Sequence, residues 1–158
     1  MMEQYLILIL ISMLPWIELR GSIPIGIIVY GLNPLVVFAI AVTANSLIYF
    51  PGRFALGLFY RYVENIGTVK NIVERVRKKS TKKIEKYEFL GLTLLVAVPL
   101  PFTGAYTGTL AAWLLNMDYR KSFVYILAGI LIAGIVMTGL SMIMGGVIFD
   151  VLKIPKSF

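Results

Sequence analysis

The chain has 158 residues, enough for one domain; 59% are hydrophobic and only 15% charged, against about a quarter in a soluble domain. A mean hydropathy of +0.86 leaves too little polar surface to cover a water-soluble particle. With no Cys and no His, disulfides, thiol chemistry, zinc fingers and imidazole catalysis are excluded, and the net charge of +7 is concentrated, nine of the fifteen Lys and Arg falling between Arg61 and Lys86.

The first apolar run, Tyr5–Leu14, has the length of a signal-peptide core. Glu3 precedes it, with no Lys or Arg, and Pro15-Trp16-Ile17-Glu18 follows in place of a small-residue cleavage site, so the run is expected to be retained. The whole stretch Tyr5–Tyr30 is long enough to span a membrane, but its middle carries Pro15, Glu18, Arg20, Gly21 and Pro24. Pro34–Phe59 is a cleaner span of 26 residues, interrupted by Asn45 and Arg53 and opened by the start signal Asn33-Pro34. Next comes the basic segment Tyr60–Glu88, in which Val63, Ile66, Val69, Val73 and Val76 recur every three or four residues. That period predicts an amphipathic helix, lying on anionic headgroups or serving as a solvated linker. A basic segment beside apolar spans reads as the cytoplasmic side of a membrane rather than as a nucleic-acid site. Phe89–Leu115 is broken again, by Pro99, Pro101, Gly104 and Gly108, and Ser122–Phe149 is an uncharged run of 28 residues with Asp118 a turn ahead.

Proline removes a backbone donor and clashes with the preceding turn, so straight helices through the two broken stretches are not expected. Non-helical backbone at membrane depth survives only inside protein or along a cavity. Pro15, Pro24, Pro99 and Pro101 are therefore taken as breakers of two re-entrant hairpins. The expected fold is an all-α integral membrane domain over 1–158: an inverted repeat of two units, 5–59 and 89–152, each a re-entrant hairpin followed by a transmembrane helix, joined by a basic amphipathic helix, 60–88. In that plan the hairpin tips meet near the midplane. The charge bias does not separate it from a plain four-span bundle: either way eleven basic residues lie inside and two outside. The interruptions favour hairpins.

Glu18 and Arg20 carry the most information. A charge at the centre of a membrane helix costs about 2.5–3.5 kcal/mol on insertion scales, so both need a partner or a wet cavity. They read either as a self-neutralising pair locking the tip, or as an anion receptor (Arg20) beside a proton carrier (Glu18). Gly21 and Ser22 can present backbone N–H groups to an anion there. Arg53 either snorkels to headgroups or faces inward to draw an anion, and Asn45 reads as interhelical glue. The second tip offers Thr103, Gly104, Tyr106 and Thr107 as an uncharged cavity lining or a packing element. Small residues at four-residue spacing (Gly129/Ala133, Gly134/Thr138, Ser141/Gly145) suit close helix packing and would also serve a homodimer face. No Walker loop, acidic cluster or acid–base pair is present, so neither an enzyme, a metal site nor a cofactor is expected.

Pro15-Trp-Ile-Glu18-Leu-Arg20-Gly21-Ser-Ile-Pro24, together with Pro99-Leu-Pro101-Phe-Thr103-Gly104-Ala105, resembles the small multidrug export protein family. That family is similar to a distant branch of the DedA (SNARE-associated, VTT-domain) superfamily, and Asn45-x-x-x-Tyr49-x-x-Gly52-Arg53 is similar to a DedA motif ahead of a basic linker. The resemblance implies two opposed re-entrant hairpins and translocation, of polyprenyl phosphates coupled to a proton or sodium gradient or of phospholipids. It makes Glu18 the essential hairpin acid and Arg53 the linker-side arginine. This sequence departs from DedA in having Val98 and Gly104 where arginines flank the second hairpin's proline. The expected function is a multi-pass plasma-membrane flippase for an amphipathic anion. Drug export, and a scaffold without a transport cycle, stand as alternatives. Expected partners are the bilayer, a lipid phosphate or other amphipath, and a coupling proton or sodium ion; nucleic acid is not among them.

Overall fold

A computed structural model describes residues 2–63, 67–79, 87–98 and 103–152. They form helices α1 (Met2–Met13), α2 (Glu18–Pro24), a π-helical turn π1 (Ile25–Val29), α3 (Pro34–Leu47), α4 (Tyr49–Val63), α5 (Gly67–Lys79), α6 (Glu88–Ala97), α7 (Ala105–Leu114) and α8 (Tyr119–Leu152), with no strand among the described residues. Two stretches, Pro34–Tyr62 and Tyr119–Val147, are long and apolar enough to cross a membrane. On α8, Ile135 and Ile143 are 64% and 68% exposed, the kind of apolar surface that lipid covers and water does not tolerate in large patches.

The chain divides into two compact units, Met1–Ser46 with Ile130–Phe158, and Leu47–Gly129. These units cut across the expected repeats 5–59 and 89–152. Each takes one pair of helices folded back on each other, one half of the 34–63 run and one part of α8.

In the first unit α1 ends where Pro15 cannot continue it, and α2 folds back along α1 after the turn 14–17. Leu14 O accepts from both Ile17 N and Glu18 N and closes that turn. Pro15 stands at the break as expected; Pro24 does not break the chain. It lies inside the helix, where α geometry gives way to π1. Proline has no N–H for the carbonyl four residues earlier, and the wider i→i+5 ring, seen in Tyr30 N donating to Ile25 O, accommodates the loss. Gly26 brings three elements together: a Cβ there would lie 2.7 Å from Val37 of α3 and 3.1 Å from Leu8 of α1. Leu8, Ile23, Ile27, Val37 and Ala41 make the core. Asn33 caps α3, its Oδ1 accepting from Leu35 N and Val36 N, with Pro34 preset at the first helical position.

The expected span Pro34–Phe59 lies within the stretch Pro34–Tyr62 that is long enough to cross a membrane, and it has a break inside it where α3 stops at Leu47 and α4 restarts at Tyr49. Pro51 explains the stop. It withholds the N–H that Leu47 O would receive, and its ring crowds that carbonyl, yet it is harmless in the first turn of a new helix.

In the second unit Tyr49 is wholly buried, its hydroxyl bonded to Tyr119 O at 2.8 Å and paired with Ser122 Oγ at 2.7 Å. Its ring packs on Tyr119 and Phe123. Close approach elsewhere depends on glycine: a Cβ on Gly108 would meet Val96 at 2.5 Å, and one on Gly129 would meet Thr93 O at 2.7 Å. The amphipathic linker is represented by α5, with Val73 buried and Lys70 and Arg75 exposed. Ile66, Lys82, Lys83 and Lys86 lie outside the described residues.

Candidate functional site

The described site residues fall into two groups, one in each unit. In the first, Glu18 is 4% exposed and holds φ at 51°. A left-handed backbone is uncommon for a residue other than glycine, costing about 1–2 kcal/mol, and persists where surrounding structure enforces it. Arg20 is half-buried nearby and interacts electrostatically with Glu18. The Gly21 amide does not face a ligand, since it donates to Ile17 O at 3.2 Å. Ser22 is fully buried and its Oγ lies 2.6 Å from Ser12 Oγ, so the hydroxyl ties α2 to α1. Of the anion cradle expected from Gly21 and Ser22, the Gly21 amide and the Ser22 hydroxyl are therefore engaged within the fold.

Four buried hydroxyls elsewhere bond the carbonyl four residues back: Ser12 on Leu8, Ser46 on Val42, Thr109 on Ala105, Ser141 on Met137, whereas Thr138 Oγ1 has no partner among the described residues. Asn45 is another such case. It is wholly buried on α3, and among the described residues neither its Oδ1 nor its Nδ2 has a hydrogen-bond partner. An orphaned buried amide calls for water or a ligand, so the reading of Asn45 as interhelical glue lacks the bond it requires.

In the second unit Thr103 Oγ1 donates to Val98 O at 2.8 Å, holding the end of α6 to the approach to α7. Gly104, buried with φ at 142°, starts α7 in a conformation open to glycine, and its carbonyl accepts from Gly108 N and Thr107 Oγ1. Pro99 and Pro101 lie outside the described residues. Tyr106 and Thr107 border a cavity of about 460 Å³ between α4 and α7, walled by Ile48, Gly52, Leu56 and Phe59. Such a volume suits a drug-sized or lipid-tail occupant. On another flank of α4, Arg53 Nη2 donates to Met117 O at 2.6 Å. Its Nη1 is buried and has no hydrogen-bond partner among the described residues. Arg53 lines a second cavity, of about 390 Å³, with Phe54, Gly57, Leu58, Arg61 and Tyr119.

Arg61, Gly57 and the cavity wall of α4 were not singled out from sequence. The available signal was Arg53-x-x-x-Gly57-x-x-x-Arg61, a four-residue spacing that puts all three on one side of a helix. Among the described residues no three of His, Cys, Asp and Glu converge to hold a metal ion.

The described residues are all-helical, with two stretches long and apolar enough to cross a membrane and an apolar cavity beside α4. Residues 18–136 match the model of the family described as "Putative small multi-drug export protein". The match covers well over half of the chain, and the protein belongs to that family. No curated protein and no solved structure matches it.

Proposed function

We propose that the protein moves an amphipathic anion, such as a polyprenyl phosphate or phospholipid, across the plasma membrane. One observation carries the reading: α4 has an apolar cavity of about 460 Å³ on one flank and, on another, the Arg53 guanidinium with Nη1 buried and unbonded among the described residues. An acyl or prenyl chain suits the first and an acidic head the second. Glu18 is the group that binds and releases the coupling proton, or answers a sodium gradient. Its burial and its left-handed backbone support this, since strain at an ionisable residue accumulates where function requires it. The re-entrant, inverted-repeat architecture belongs to this proposal, with the basic segment 60–88 cytoplasmic. It is supported by the folded-back pairs α1/α2 and α6/α7 and by the resemblance to the DedA superfamily. A second reading, export of small uncharged or cationic amphipaths, is favoured by the cavity walls, which carry hydroxyls but no charge.

The test uses purified protein in liposomes, with a fluorescent polyprenyl phosphate and a quencher confined to one leaflet. Wild type should exchange the probe between leaflets. Glu18→Gln and Arg53→Gln, each verified as folded, should slow exchange at least about tenfold, the effect of losing one hydrogen bond to a charged group. Exchange no faster than in empty liposomes, under imposed proton and sodium gradients, would refute the lipid-phosphate reading. Efflux of a hydrophobic cationic dye in place of lipid exchange would establish the second.

A further inference from the structure

We propose that Arg53 and Arg61 form a binding site for a phosphate-bearing amphiphile, its head held by both guanidiniums across Gly57 and only the apolar segment next to the head covered by Phe54, Leu58 and Tyr119. The site deepens the reading above, on which its role in transport rests, by giving the acidic head a second cation and a walled place.

The two arginines are eight residues apart, about 12 Å along the helix, and both line one cavity of about 390 Å³. Two like charges lining one half-open cavity repel, and an anion between them removes the repulsion. Neither is neutralised by an acidic side chain among the described residues. Asp118, next to the carbonyl that Arg53 holds, is occupied by the backbone N–H groups of Arg120 and Lys121. Snorkelling does not describe Arg53. One of its terminal nitrogens is fixed at 2.6 Å to Met117 O and the other is buried, so the guanidinium is held in place with a donor to spare. Gly57 supplies the opening between the arginines: a Cβ built there would meet nothing within 4 Å. The remaining walls are aromatic or aliphatic, with Phe54 and Leu58 exposed, which suits an occupant that is charged at one end and apolar at the other. Guanidinium is the side chain that matches phosphate geometry with paired donors.

The experiment follows the unfolding midpoint of the full chain in detergent while three probes are titrated: dihexanoyl phosphatidic acid, dihexanoyl phosphatidylcholine and inorganic phosphate. Wild type should bind the phosphatidic acid at least about tenfold more tightly than the phosphatidylcholine. Arg61→Gln should weaken that binding about tenfold. Gly57→Leu should abolish it by filling the cavity, without lowering the midpoint of the free protein. Arg120→Gln, outside the cavity, should change nothing, which excludes a general charge effect. Inorganic phosphate binding as tightly as the phosphatidic acid, with the same dependence on Arg61, would support the site and assign it a soluble anion instead of a lipid. Unchanged phosphatidic acid binding in both Arg61→Gln and Gly57→Leu, or equal binding of both lipids by wild type, would overturn it. Binding that depends on Arg61 in a protein that exchanges no lipid would keep the site and refute translocation. Exchange that persists in a non-binding Gly57→Leu would keep both the site and translocation and overturn the site's part in transport.

Discussion

The two units differ in where they hold charge and polarity, although each has an orphaned polar group among the described residues, Asn45 in the first and Arg53 Nη1 in the second. The first buries polarity against protein: Glu18 at a left-handed turn, Asn45 with neither amide atom bonded among the described residues, and Ser12 paired with Ser22. The second leaves its charge beside space, with Arg53 and Arg61 lining one cavity and Tyr106 and Thr107 another. Strain and orphaned polar groups are stored where a state must change, and cavities lie where something must fit. The difference suggests a division of labour, charge movement in the first unit and cargo in the second.

The sharpest challenge to that division is a substitution that crowds one of the second unit's close backbone approaches. Gly129→Leu drives a side chain into Thr93 O and Val96, and should destabilise by about 3 kcal/mol in thermal unfolding. A neutral result would mean that the second unit is loosely packed throughout, and its cavities would lose their significance. Asn45→Leu should act in the other direction and raise stability by about 2 kcal/mol, because it removes an unsatisfied buried amide. If exchange in liposomes falls at the same time, Asn45 is kept for function; if exchange is unaffected, the first unit's polarity is incidental there. Ser22→Ala should cost about 1 kcal/mol, since Ser12 keeps its bond to Leu8 O and only the tie between helices goes. A much larger loss would make that tie the first unit's principal clasp. The smallest effect concerns the entry to α8. Hydrogen bonds from the N–H groups of Lys121 and then Arg120 hold the Asp118 carboxyl below its ordinary value of 3.8. A depressed folded value means that its contribution is complete at neutral pH and lost as pH falls through the acid range. Asp118→Asn, which keeps a capping oxygen, should lose that part of the acid dependence, as read from unfolding midpoints between about pH 5 and pH 2.

Much of the architecture was legible in the chain. Apolar length marked the spans, Asn33-Pro34 and Asp118 marked helix starts that side-chain bonds occupy, and Pro15 marked a turn. Pro24 and Pro51 were harder to interpret, because a proline's effect depends on whether it falls in a first turn, an interior or a place that can widen. The burial of Glu18 followed from the cost of charge in an apolar segment, but its left-handed backbone did not, since φ is set by how the turn 14–17 closes. The cavities were illegible for a similar reason: Gly52, Leu56 and Phe59 become a wall only once α7 lies beside α4. Arg61 read as one of many linker cations until α4 extended to Val63 and put it in line with Arg53.

The π turn after Pro24 holds one residue more than an α turn would need, which amounts to a single insertion retained within a helix. Each residue of an α-helix advances the side chains by about 100°. Trading this wide turn for a regular one would therefore spin α2 about its own axis, carrying Glu18 and Ser22 to a new azimuth while Gly26 could stay seated on Val37. The wide turn thus ties the winding of this segment to the position of the buried Glu18 side chain.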